Sequence, residues 1–142
     1  MVTEDYVSFE TAKLLKENGF DSDEVGCHGG FYSERCYEYG YGIKTQSGQE
    51  VGIVYDDLTN SDLEYDEYLR PTLQMAMKWL RDIFHLEIYP FHDAIQENND
   101  WWYRIEQHSK GCSLPEHESN VIYKTYEEAC EEAIKYCLEN LV

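Results

Sequence analysis

The fold is decided by residues 71–84, which read PTLQMAMKWLRDIF. Apolar side chains recur in this segment at the i, i+3, i+4 and i+7 spacing that places them on one stripe of a helix. The residues of this stripe are Leu73, Ala76, Met77, Leu80, Ile83 and Phe84. Lys78, Arg81 and Asp82 fall outside the stripe, and Pro71 suits the first turn of a helix. The pattern therefore predicts an amphipathic helix that forms part of the core.

A second helix is predicted upstream, over residues 9–18. Ser8 has the side chain of an N-cap residue, and Gly19 is typical of a helix end because glycine adopts the left-handed conformation without strain. With Gly19 in that conformation, Phe20 reaches the position from which a Schellman motif packs back on Leu15.

A third helix is predicted after Thr125, which forms a capping box with Glu128. Its apolar side chains again follow helical spacing. This stripe consists of Cys130, Ala133, Ile134, Cys137, Leu138 and Leu141.

Short apolar and aromatic runs between the helices predict strands. They cover residues 31–39, 41–46, 49–55, 86–89, 101–107 and 121–124. We expect Pro90 to end the fourth strand and residues 108–119 to form the loop of a hairpin. The order of elements shows no regular strand–helix alternation. It therefore predicts an α+β fold, with a mostly antiparallel sheet of about five or six strands and three helices packed on one face. The length of 142 residues fits a single α+β domain over residues 1–142.

The charge of the chain excludes some partners. There are 29 acidic and 11 basic side chains, a formal charge of −18 at pH 7. Direct nucleic-acid binding needs a basic stripe, and the inner leaflet of membranes is anionic, so we expect neither partner. No signal peptide opens the chain and no apolar run approaches the ~20 residues of a membrane span, so we expect a cytoplasmic protein.

The cysteines also favour a reducing compartment. Their number is five, and an odd count argues against a closed disulfide framework. Cys130 and Cys137 lie two helical turns apart, about 10.5 Å, which is too far for a disulfide bond.

Two groups of candidate metal ligands occur, each within one short region. They are Cys27, His28 and Cys36 in the first group, and His108, Cys112 and His117 in the second. Zinc sites usually contain a Cys-x-x-Cys pair, and none is present. Residues 56–67 have the length of a calcium-binding loop but lack the glycine that its turn requires. We therefore expect no cofactor and no enzymatic activity. A zinc-binding or cysteine-dependent enzyme is the least favoured of the alternative hypotheses.

Aromatic residues are abundant, with 13 Tyr, 5 Phe and 3 Trp. Trp101 and Trp102 are adjacent in a predicted strand, so they point to opposite faces of the sheet. We expect one indole to pack beneath the helices. Trp102 then forms a candidate protein contact with Tyr39 and Tyr41, because aromatic residues are enriched at interfaces. Cross-strand aromatic pairing within the sheet is the alternative.

The acidic stretch at residues 56–67 is a second candidate surface, and it contains no basic residue. Its candidate contact residues are Asp56, Asp57, Asp62, Glu64, Asp66 and Glu67. Two hypotheses follow. The first is a small non-enzymatic interaction protein that binds another protein or a second copy of itself. The alternative is an acidic DNA mimic that inhibits a DNA-binding protein.

Three segments carry a resemblance to a known family. They are VSFETAKLLKENGF at residues 7–20, the pair PTLQ and KWLR at residues 71–81, and TYEEA at residues 125–129. They resemble short proteins of unknown function from bacteriophages, prophages and Bacteroides-type gut bacteria. The match spans about half of the chain and leaves residues 21–69 without a counterpart. The resemblance implies a phage-related origin and one helix–sheet domain, and it implies no activity.

Overall fold

The computed structural model describes residues 5–20, 31–33, 42–44, 50–52, 67–92, 100–109 and 112–142. The elements follow in the order α1 (Phe9–Glu17), β1 (Phe31–Ser33), β2 (Gly42–Lys44), β3 (Glu50–Gly52), β4 (Glu67–Leu69), α2 (Leu73–Phe84), β5 (Leu86–His92), β6 (Trp101–Ser109), β7 (Cys112–Glu118) and α3 (Tyr126–Tyr136). A π-helical turn, Cys137–Leu141, continues α3. The chain divides into two compact units, Met1–Met75 and Ala76–Val142.

Both ends of α1 form as the sequence predicts. The Ser8 hydroxyl accepts a hydrogen bond from a backbone N–H of the first turn at 3.3 Å. Gly19 has a φ of 90°, and its N–H donates to the carbonyl of Lys16 at 3.2 Å. The Phe20 N–H donates to the carbonyl of Leu15 at 2.9 Å. These two bonds define the Schellman motif, which is therefore confirmed.

The first unit contains an antiparallel sheet in the strand order β2-β3-β1-β4. Helix α1 packs on β4. The Phe9 ring lies edge-on to the rings of Tyr32 and Tyr68, with centroids 5.9 and 5.6 Å apart. The Tyr32 hydroxyl donates to the carbonyl of Val7 at 2.5 Å. This aromatic cluster joins the helix to the two neighbouring strands.

The placement of Glu67 in an acidic loop is wrong. Glu67 begins β4, which pairs with β1. Its backbone carbonyl accepts a hydrogen bond from the Lys16 ammonium at 2.7 Å. Burial of Tyr68 and Leu69 stabilises this strand. Three residues are too few to show the alternation that identifies a strand in a sequence.

Helix α2 begins at Leu73, two residues later than expected. The Thr72 hydroxyl accepts a hydrogen bond from the Met75 N–H at 3.1 Å, which is the arrangement of an N-cap. Pro71 therefore precedes the helix, and its carbonyl accepts from the Val7 N–H at 3.0 Å. The buried residues of the predicted stripe are Leu73, Ala76, Met77 and Leu80.

Two residues of α2 depart from the predicted stripe. Ile83 is 44% exposed because it lies in the last turn, beyond the buried centre of the helix. Trp79 was outside the stripe, yet it is buried and lies edge-on to Phe84 at 5.0 Å.

The second unit contains an antiparallel sheet in the order β5-β6-β7. The expectation that Pro90 ends the strand is wrong, because β5 continues to His92 and Pro90 pairs with Tyr103. Proline has no N–H to give to a ladder, and an edge strand such as β5 tolerates it.

The predicted hairpin has the wrong second strand, because β6 pairs with β7. Strand β7 occupies most of the loop expected over residues 108–119. The strand expected over residues 121–124 is reduced to one bridge between Tyr123 and Trp101. The sequence of β7, CSLPEHE, lacks apolar alternation and contains Pro115, so its pattern does not reveal a strand.

The C-terminal helix agrees with its prediction. The Thr125 hydroxyl accepts from the Glu128 N–H at 3.1 Å, and the Glu128 carboxylate accepts from the Lys124 N–H at 3.3 Å. Helix α3 packs on β5 and β6. The buried members of its stripe are Cys130, Ala133, Ile134, Cys137 and Leu138.

The α+β class is confirmed. One sheet of about five or six strands under three helices is not confirmed, because the described strands form two antiparallel sheets. The single domain over residues 1–142 stays a prediction. Within the described ranges, no helix has the length and apolar content required to cross a membrane.

Candidate interaction surface

The two faces of β6 have different environments. On the inner face Tyr103 and Ile105 are buried, and Trp101 is half-buried. The Trp101 ring lies edge-on to Tyr126 of α3, with centroids 5.4 Å apart. It also contacts His92 on β5, at 4.9 Å. Helix α3 therefore covers this face, as we expected for one of the two indoles.

Aromatic rings fill the space between α3 and the inner face. The Tyr103 and Tyr123 rings stack 6.0 Å apart. The His117 ring stacks on Tyr136 of α3, with centroids 3.7 Å apart and planes inclined by 8°. Burial raises the pKa of Tyr103, and the neighbouring Tyr123 and Glu132 raise it further. The Tyr103 hydroxyl therefore stays neutral, and its ring belongs to the core.

The outer face of β6 carries Trp102, which is half-buried. Its ring stacks on Phe91 of β5, with centroids 6.2 Å apart. The Arg104 guanidinium lies over the Phe91 ring at 5.2 Å, and its Nε lies 3.4 Å from the Glu106 carboxylate. Cross-strand aromatic pairing, the alternative reading of Trp102, is therefore present on this face.

Two carboxylates stand opposite each other further along the outer face, on Glu87 and Glu106. Each has a basic partner, since an Arg81 nitrogen lies 3.6 Å from Glu87 and Arg104 lies beside Glu106. Burial raises the pKa of the neighbouring Tyr89, and the charges of Glu106 and Glu87 add to this effect. The acidic side chains of this part of the face are thus already paired.

A bulge at the end of β7 exposes apolar side chains beside Trp102. The Ser119 N–H donates to the Tyr103 carbonyl at 2.9 Å, and Tyr123 exchanges two backbone hydrogen bonds with Trp101, both of 2.7 Å. The three residues between these pairs, Asn120, Val121 and Ile122, stand opposite Trp102 alone. Val121 is 59% exposed and Ile122 is 60% exposed. A bulge of this kind redirects side chains that a regular strand would place on its faces.

Trp102 and the bulge together line a shallow groove. Its wall residues are Trp102, Glu118, Ser119, Asn120, Val121 and Ile122. The Ser119 hydroxyl accepts from the Tyr103 N–H at 3.1 Å and donates to the Val121 carbonyl at 3.2 Å, which holds the base of the bulge. Glu118 lines the groove and is exposed. We call this set of six residues the Trp102 groove.

Among the other predicted contact residues, the structure describes Glu67. Glu67 lies in β4 of the first unit. The remaining predicted contacts lie outside the described residues and are Tyr39, Tyr41, Asp56, Asp57, Asp62, Glu64 and Asp66.

The candidate metal ligands give no cluster among the described residues. His108 is exposed on β6 and His117 stacks on Tyr136. Cys112 begins β7. The structure contains no group of three or more metal-ligating side chains in the ranges it describes. The remaining candidates, Cys27, His28 and Cys36, lie outside those ranges.

The two cysteines of the C-terminal helix are buried, and neither is in a disulfide bond. Burial raises the pKa of Cys130 to about 11 and that of Cys137 to about 12. The nucleophilic form of cysteine is the thiolate, so these thiols are unreactive at neutral pH.

Sequence reasoning identified Trp102 and missed the residues that form the groove with it. It assigned Val121 and Ile122 to a strand over residues 121–124, as part of a short apolar and aromatic run. The signal for a bulge was present in Ser119 and Asn120, which are turn residues placed directly before them.

Comparison of the chain with protein-family models, with curated proteins and with solved structures gave no match. The resemblance to short phage-associated proteins stays a prediction.

Proposed function

We propose that this protein is a non-enzymatic interaction module that binds another protein through the Trp102 groove. The observation that supports this proposal is the exposure of Val121 and Ile122 directly beside a half-buried tryptophan. Scattered apolar residues on a surface are ordinary, whereas neighbouring ones that line a concavity are typical of a contact site.

The composition of the groove agrees with that of an interface centre. Tryptophan is enriched among the residues that contribute most to binding energy. The ring of Trp102 is held in place by Phe91, and the bulge is held by the hydrogen bonds of Ser119. A fixed groove loses little conformational freedom on binding, which favours affinity.

The formal charge favours a partner other than a second copy of the chain. Two copies, each at −18, repel one another, whereas a partner with basic residues is attracted. Sedimentation of the purified protein shows whether the chain forms a dimer with a second copy of itself. A dimer that dissociates when Val121 is changed to Asp would show that the groove binds a second copy.

Site-specific crosslinking in the native cell tests the proposed function. We place a photoreactive phenylalanine analogue at Ile122 and, as a control, at the exposed Glu139 of the C-terminal helix. We expect a specific crosslinked protein at position 122 that is lost when Trp102→Ala is added. Equal products at both positions would contradict the proposal.

The same crosslinking experiment distinguishes binding through the Trp102 groove from the alternative function as an acidic DNA mimic. Its contact residues at 56–66 lie outside the described residues. A partner that is a DNA-binding protein and that is captured equally well by the Trp102→Ala variant would favour the mimic.

A further inference from the structure

The Trp102 groove combines an apolar wall with one exposed carboxylate. Trp102, Val121 and Ile122 supply the apolar wall, and Glu118 is the acidic residue that lines it. Arg104 stands opposite Glu118 in the strand register, yet its guanidinium lies beside Glu106 on its own strand. In the part of the chain that the structure describes, no basic side chain forms a salt bridge with Glu118.

Glu118 differs in this respect from the other carboxylates of the same face. Glu87 has Arg81 at 3.6 Å and Glu106 has Arg104 at 3.4 Å. Those two carboxylates are also largely buried, with 21% and 16% of their side chains exposed, whereas Glu118 is exposed. Among the described side chains of this face, Glu118 is therefore the carboxylate that is available to a cation from outside.

We propose that the groove recognises a protein segment in which an apolar side chain is next to a lysine or arginine. This inference rests on the proposed function and names the chemistry of its partner. The apolar side chain packs between the Trp102 ring and the exposed aliphatic groups of the bulge. The neighbouring cation pairs with the Glu118 carboxylate, while the charge of −18 attracts the basic segment from a distance.

Residue spacing in the partner follows from the position of Glu118. Glu118 lies at the end of β7 and the exposed aliphatic side chains follow three and four residues later. A cation adjacent in sequence to the apolar side chain stays beside the groove that Glu118 lines, because neighbouring Cα atoms are about 3.8 Å apart. A segment with the charge reversed places two carboxylates together, which is unfavourable.

The test uses two short peptides with the isotope-labelled full-length protein. The peptides are N-acetyl-Lys-Leu-Lys-amide and N-acetyl-Glu-Leu-Glu-amide. Their binding is measured by the changes in the amide and indole NMR shifts of the protein. We expect the Lys peptide to shift the signals of residues 118–122 and the Trp102 indole, and the Glu peptide to leave them unchanged. Glu118→Gln should weaken Lys-peptide binding about three- to fivefold, as for an exposed ion pair. Glu139→Gln, an exposed change in the C-terminal helix, is the matched control and should have no effect at these signals.

The outcomes separate this inference from the proposed function. If both peptides shift the groove signals equally, or if Glu118→Gln and Glu139→Gln act alike, the cation requirement is wrong while the groove still binds an apolar side chain. If the Lys peptide shifts only signals elsewhere, the inference is wrong, and crosslinking at Ile122 then decides whether the groove binds protein at all. Loss of the groove shifts in Trp102→Ala, with the rest of the spectrum unchanged, would support the inference.

Discussion

The two sides of the second sheet use the same residue types in opposite ways. On the inner side Trp101 and Tyr103 lie against α3, and their rings contact further rings of the same unit. On the outer side Trp102 contacts Phe91 and lines a groove with the exposed aliphatic residues of the bulge. An aromatic strand residue therefore has a structural role where a helix covers it and remains available for binding where a bulge leaves it open.

The largest expected effect contrasts a buried and an exposed position. Ile105→Asp places a carboxylate at a fully buried position of the inner face, and burial of an unpaired charge is not tolerated. We expect this variant to be unfolded by circular dichroism. Val121→Asp changes a residue that is 59% exposed, and its unfolding free energy should stay within about 0.5 kcal/mol of the wild type. Equal destabilisation by the two changes would show that the bulge belongs to the core.

The two tryptophans provide a second test of the difference between the inner and outer faces. Trp101→Ala removes contacts with Tyr126 and His92 and should cost about 3 kcal/mol of unfolding free energy. Trp102→Ala loses the stacking on Phe91 and should cost about 1 kcal/mol. Urea unfolding of both variants measures the difference. A larger loss for Trp102 would contradict the assignment of the outer face to binding.

Alkaline pH should weaken the helix that covers the inner face. The pKa of Cys130 is about 11 and that of Cys137 about 12, against an ordinary value of 9.0. Their neutral forms therefore contribute stability that is complete below pH 9 and is lost as the pH rises toward the folded pKa values. At pH 10 the loss should be about 1.4 kcal/mol for each thiol. Changing both cysteines to Ala should flatten the fall in stability between pH 9 and 11, and an unchanged slope would exclude the thiols as its cause.

The smallest expected effect contrasts two polar groups. The Tyr103 hydroxyl is buried and hydrogen-bonds with Tyr123, so Tyr103→Phe should cost about 1 kcal/mol. Glu106→Gln removes one charge of an ion pair on the outer face and should cost about 0.5 kcal/mol or less. Thermal unfolding at low and high salt distinguishes them, because only the Glu106 variant should alter the salt dependence.

Much of the helical part of the fold could be predicted from the sequence. The caps at Ser8 and Thr125 and the left-handed Gly19 are determined by a few neighbouring residues, so local patterns reveal them. Strand β4 could not be predicted, since its three residues are stabilised by pairing with β1, which is distant in the sequence. Strand β7 pairs with the preceding strand β6, but its own sequence lacks apolar alternation and contains Pro115, so no local pattern reveals it.

The candidate site could be predicted only in part. Trp102 was identified because adjacent tryptophans in a strand must face opposite sides. The exposure of Val121 and Ile122 depends on the backbone hydrogen bonds of Ser119 and Tyr123, which no local pattern specifies. The apolar and aromatic run over residues 121–124 instead predicted a strand, and this misplaced two apolar residues that are among the most exposed in the described part of the second unit.

The most direct test of the central claim is the affinity of the crosslinked partner, measured by calorimetry from low to physiological salt. The account predicts that Trp102→Ala weakens binding by about 2 kcal/mol or more at every salt concentration, as for a residue at the centre of an interface. It also predicts a shallow salt dependence that Glu118→Gln reduces but does not remove, because one exposed ion pair contributes little in water and the remaining negative charge still attracts a basic partner. A steep fall in affinity with salt, together with an unchanged affinity for Trp102→Ala, would contradict the claim and favour binding through the acidic surface.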